Sequence, residues 1–174
     1  MYSKGKILAQ RAILRASSGL YFVDEIIRFR GDSTDGAYSR SWYVLLSFNF
    51  ELVLNAIIAL ESKAKTNKEV MADIMSVRPS HDYEKLFCKI SPTLASEVGL
   101  SSVKKQSTNG FIQYEVNFKN GNKAYIQDLV DVRYDFKKDN LRNFDPNEIP
   151  RIKSESKSIR EVIDVTEKLA WEEN

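Results

Sequence analysis

A run of twenty residues, Ser41 to Leu60 (SWYVLLSFNFELVLNAIIAL), constrains this chain more than any other stretch. At 1.5 Å per residue it is about long enough to cross a bilayer as a helix. Its polar members argue otherwise. Ser47, Glu51 and Asn55 recur every four residues, which stacks them as one stripe along a helix face. A carboxylate in hydrocarbon is costly, so the run reads as the buried central helix of a soluble helical bundle, starting at about Ser39 or Ser41 and ending near Ser62.

The flanking segments supply its cover. Residues 6–29 have an apolar stripe at helical spacing, with Ser17-Ser18-Gly19 expected to bend or divide the helix. Gly31–Gly36 (GDSTDG) reads as a loop. Thr66 and Glu69 make a capping box for a short helix through Met75, ended by Pro79. Asp82 can cap a helix carrying Tyr83, Leu86, Phe87 and Ile90, and Ser91-Pro92 can start another.

Ser101–Gly110 reads as a loop. Ile112, Tyr114, Val116 and Phe118 then alternate with polar residues before Asn120-Gly121, a strand and hairpin signal. Tyr125, Leu129, Val132 and Phe136 return to helical spacing, predicting a helix over 124–138. Asp145-Pro146 predicts one brief turn stopped by Pro150, and Ser158 with Glu161 a capping box for a last helix through Ala170. The expected fold is all-α: one domain over 1–174, an up-and-down bundle with a small hairpin inserted around 111–127.

Composition excludes some chemistry. A net charge of +2 predicts no strong field for nucleic acid, and a single cysteine, Cys88, excludes an internal disulfide or a cysteine-built zinc site. There is no phosphate loop or dinucleotide fingerprint, and no cofactor or metal is expected. Basic residues scattered through the first apolar positions are unlike a secretory leader, so a cytoplasmic protein is expected. His81, the one histidine, heads a helix and reads first as a loop or cap side chain bonded to backbone, second as a general base. Arg133 stands in an apolar helical pattern, LVDVRYDF, and is the expected bidentate partner of Glu51.

The blocks SWYVLLSFNFELVLNAIIAL, SHDYEKLFCKISP and LVDVRYDF, in that order, resemble the signature blocks of HEPN-domain proteins over roughly residues 40–138. In that family a long apolar helix with an embedded Phe-Glu-Leu precedes a His-Asp-headed helix with a Leu-Phe pair, and a later helix carries Arg-Tyr. The resemblance implies a helical bundle, commonly dimeric. Its members include ribonucleases of toxin–antitoxin and phage-defence systems, nucleotide-binding partners of small nucleotidyltransferases, and inactive scaffolds. It assigns Arg133 as the active-site arginine and Glu51 or Asn55 as the helix-borne polar residue.

This chain departs from the ribonuclease members, whose arginine is followed within a few residues by a histidine. Here YDFKKDN follows Arg133. The expected function is therefore a catalytically degenerate nucleotide- or RNA-associated module, acting in a toxin–antitoxin, phage-defence or regulatory complex. Its ligand would meet Ser47, Glu51, Asn55, His81 and Arg133, and a nucleotidyltransferase or antitoxin would be its protein partner. The alternatives are a metal-independent ribonuclease using Arg133, Tyr134 and Lys137 or Lys138, and a purely structural interaction protein. A homodimer is expected, with Trp42, Tyr43 and the N-terminal helix as its apolar surface, and no membrane association.

Overall fold

The computed structural model describes residues 3–30, 36–64, 66–76, 81–108, 111–128 and 148–172. Two long helices, α1 (Lys4–Arg30) and α2 (Gly36–Glu61), pack antiparallel along their length. Two glycines set their spacing. A Cβ on Gly5 would run into the Ala59 carbonyl, and one on Gly19 into the Asn49 side chain. Gly19 therefore does not break α1, which runs unbroken through Ser17-Ser18-Gly19; its missing side chain lets the neighbouring helix approach.

α2 satisfies the length and composition test for a membrane span over Trp42–Glu61. Trp42, Leu46, Phe50, Val53, Leu54 and Ile57 nevertheless lie at the centre of the protein core. Trp42 and Tyr43 are buried, so neither offers the surface for self-association expected of them.

Three short helices follow: α3 (Asn67–Met75), α4 (Tyr83–Phe87) and α5 (Pro92–Glu97). Each starts at the expected cap. Thr66 and Glu69 form both halves of a capping box, Asp82 accepts from the Lys85 N–H, and Ser91 accepts from the Leu94 N–H with Pro92 in the first turn.

The fold is mixed α and β, which overturns the all-α expectation. β1 (Leu100–Thr108), β2 (Phe111–Phe118) and β3 (Lys123–Gln127) form an antiparallel sheet in chain order. The expected loop at 101–110 is thus largely strand. β1 directs only Leu100 and Val103 into the core; the remainder is polar, with Lys104 and Lys105 exposed, as suits an edge strand. β2 is the central strand and carries the alternation read from the sequence, with Tyr114, Val116 and Phe118 inward. The Asn120-Gly121 turn is present, with Gly121 at φ +85°. Residues 124–127, expected to open a helix, are β3, with Ala124 and Ile126 buried. The rest of that expected helix, 129–138, lies outside the described residues, as do Pro79 and Asp145-Pro146.

The last helix, α6 (Glu148–Trp171), also differs from expectation. Pro150 does not stop it, because proline is tolerated in a first turn whose N–H groups have no intrahelical acceptor. Ser158 and Glu161 are inside α6 rather than at its start. They hold the β2–β3 turn: Asn122 Nδ2 donates to Ser158 Oγ (3.2 Å) and Asn120 Nδ2 to Glu161 Oε2 (2.9 Å). Glu155, buried in the same helix, accepts the edge N–H of Tyr125 at 3.1 Å. At its far end α6 meets the start of α1, where Lys6 Nζ donates to the Glu172 carbonyl (2.7 Å) and Gln10 Nε2 to that of Ala170 (2.9 Å).

Candidate functional site

The polar stripe of α2 lies on the opposite flank of that helix from Gly19. Glu51 follows Asn49 by two residues, about 200° around the helix, so its carboxylate leaves α1 behind and points to the head of α4. There Glu51 Oε2 is 2.7 Å from His81 Nδ1, with the carboxylate side chain 14% exposed and the imidazole 30% exposed. A carboxylate on Nδ1 makes that nitrogen the donor and leaves Nε2 with the lone pair of the neutral ring. Nε2 has no hydrogen-bond partner among the described residues.

Two tyrosines brace this pair from below. Tyr83 donates its hydroxyl to the Ser47 carbonyl at 2.9 Å, one turn before Glu51. The Tyr114 hydroxyl lies 3.3 Å from both the His81 carbonyl and Asp128 Oδ2. The rings of Tyr83 and Tyr114 lie 4.7 Å apart, tilted by 44°, and Phe50 closes edge-on over Tyr83 at 5.6 Å. Burial pushes the Tyr114 phenol well above its ordinary range, and the charges of Asp128 and Asp82 add to the shift. Its hydroxyl is thus held as a neutral donor. Ser47, itself buried, donates to the Gln127 carbonyl at the end of β3 (2.8 Å).

Beside His81, buried Asp82 is both the cap of α4 and an anchor for two ammonium groups. Lys105 Nζ on β1 approaches to 3.6 Å and Lys85 Nζ to 3.7 Å. Lys105 also stands 6.0 Å over the Tyr114 ring. Two ammonium groups are thus gathered on one carboxylate next to the histidine, among the carboxylates of Glu51, Asp82 and Asp128.

Of the residues singled out from the sequence, Ser47, Glu51 and Asn55 share one face of α2, and His81 joins Glu51. The Asn55 Oδ1 atom is buried without a hydrogen-bond partner among the described residues. His81 departs from its first reading: its ring bonds a carboxylate, and only its carbonyl takes part in bracing. Arg133, Tyr134, Lys137 and Lys138 lie outside the described residues, and so does the expected Glu51–Arg133 pair; the described partner of Glu51 is His81. Sequence reasoning missed Tyr83, Tyr114, Lys105 and Asp128. The tyrosines stood at apolar positions, where nothing local distinguishes a packed ring from one whose hydroxyl is also in use.

Cys88 is free and exposed just after α4, and among the described residues no His/Cys/Asp/Glu group could hold a metal ion. No protein family, curated protein or solved structure matches this chain.

Proposed function

We propose that this chain is a nucleotide- or RNA-associated module whose ligand face is the Glu51–His81 pair with the neighbouring polar turns of α2. The observation that carries the reading is the 2.7 Å contact that fixes a half-exposed imidazole on a nearly buried carboxylate. An imidazole held by Nδ1 keeps Nε2 directed away from its holder, where its lone pair can accept from a ribose hydroxyl. Lys85 and Lys105, held on Asp82 beside the histidine, can contact a phosphate. The likeness of the sequence blocks to HEPN proteins supports the choice of ligand class.

The test is thermal denaturation with ATP, GTP and a short single-stranded RNA. A ligand at one hundred times its Kd stabilises by about 2.7 kcal/mol. The gain should vanish in His81→Ala, with unchanged circular dichroism as the check on folding. A wild-type protein indifferent to all three ligands overturns the proposal.

Ribonuclease chemistry is a second reading, and the same pair favours it. A histidine oriented by a carboxylate has the arrangement of a general base towards a 2′-hydroxyl, here without the arginine-linked histidine. Cleavage of labelled RNA that falls by about 10²–10⁴ in His81→Ala would promote this reading to first place.

A further inference from the structure

The outward face of α1 has an organisation that a solvated helix face does not need. Its core-facing residues, from Ala9 through Ile13, Ala16, Leu20 and Val23 to Ile27, are all buried. On the opposite side Arg11, Leu14, Ser18, Tyr21 and Glu25 recur at spacings of three, four, three and four, the period of a helix–helix seam. Leu14 is 49% exposed, Tyr21 59% and the adjoining Phe22 60%, large apolar side chains left in water within one patch. Tyr21 and Phe22 pack edge to face at 6.2 Å, so the patch is pre-ordered. Beside it an open groove of about 420 Å³ extends between Ser17 and Phe22 towards Arg160 of α6.

The face is complementary to itself. Laid antiparallel on a copy with Ser18 opposite Ser18, it sets Arg11 against Glu25, Leu14 against Phe22 and Arg15 against Tyr21, each pairing occurring twice. Every member then meets an opposite charge, an apolar side chain or an aromatic face. Serine at the crossing permits close approach. The contact spans residues 11–25, about 21 Å of helix at 1.5 Å per residue.

We propose that α1 binds a second copy of this chain, antiparallel and two-fold symmetric, crossing at Ser18. The seam lies on the far side of α1 from α2, so the Glu51–His81 pair stays uncovered in both copies. The proposal does not depend on the ligand.

Sedimentation equilibrium up to about 100 μM should show twice the 20.0 kDa chain mass. Arg11→Glu sets like charges against each other at both ends of the seam and should weaken the dimer at least tenfold. Adding Glu25→Arg should restore it to within a few-fold of wild type. Arg11 and Ser18 are exposed, while Glu25 is partly buried and pairs with Arg28 at 3.8 Å, so circular dichroism of each variant checks the fold. In a Cys88→Ser background, Ser18→Cys should oxidise to a dimer linked at the crossing, whereas a contact through another face would not. A 20.0 kDa monomer throughout this range overturns the proposal. So does a dimer that is indifferent to Arg11→Glu and forms no Ser18→Cys link.

Discussion

The two flanks of α2 are built on different principles. Against α1 the helices meet through absent side chains: Gly5 admits the Ala59 backbone and Gly19 the Asn49 side chain, and the core of the two helices includes Ile13, Leu20, Val53, Leu54 and Ile57. Against α4 and the sheet the contact is made by specific polar atoms, with Ser47, Glu51, Tyr83, Tyr114 and Asp128 each directing oxygen at a defined partner. Close packing of the first kind is unforgiving of volume, because a carbonyl on a packed helix has nowhere to move. The second kind depends in addition on each donor keeping its acceptor. One helix thus serves as both a steric spine and a polar platform, and the polar flank is where ligand chemistry can be placed.

The sharpest way to break this contrast is to add one carbon on the dry side. Gly5→Ala should cost about 2–3 kcal/mol in urea denaturation, since the new Cβ meets backbone. Gly19→Ala should cost less, because Asn49 is a side chain with some freedom to shift. The exposed neighbour Ser18→Ala should stay within about 0.5 kcal/mol. A neutral Gly5→Ala would show that the helices do not need their close approach.

A smaller effect is expected on the polar side. Tyr83→Phe keeps the ring and its stacking but removes the buried donor to the Ser47 carbonyl, for a loss of about 1–1.5 kcal/mol. A loss as large as that of Gly5→Ala would mean that the polar flank is as costly to disturb as the packed one.

The smallest effect is one of pH. The Tyr114 phenol titrates higher in the folded protein than its ordinary value of 10.0. Above pH 10 the unfolded chain therefore loses this proton while the folded chain keeps it, and stability falls as pH rises. Tyr114→Phe should flatten that alkaline decline, while the lost hydroxyl lowers stability near neutrality by about 1 kcal/mol. An equally steep decline in the variant would assign it to other groups.

What was legible in the sequence was mostly what is decided locally. The caps at Thr66, Asp82 and Ser91, the Asn120-Gly121 turn and the alternation of β2 depend on neighbouring residues, and the structure contains all of them. β1 escaped notice because an edge strand buries so little that Ser-Ser-Val-Lys-Lys-Gln-Ser-Thr shows no alternation. The Ser158–Glu161 pattern misled because both side chains answer to the distant β2–β3 turn rather than to their own backbone. At the candidate site the stripe on α2 could be read from its spacing of four. That it meets His81 could not, because a mid-helix carboxylate and a helix-head imidazole thirty residues apart carry no local sign of each other.

The seam between the start of α1 and the end of α6 has a consequence in time. Lys6 and Gln10 bond carbonyls of residues 172 and 170, so the first described helix is completed by the last. On a ribosome moving at about 5–20 residues per second, roughly 6–24 s separate the emergence of Arg30 from that of Glu148. For that interval the flank of α1 destined for α6 is bare, and the nascent chain can only wait, half-closed, for its final helix. Slowed translation between these helices should lengthen that exposure, while leaving the finished protein as stable as before.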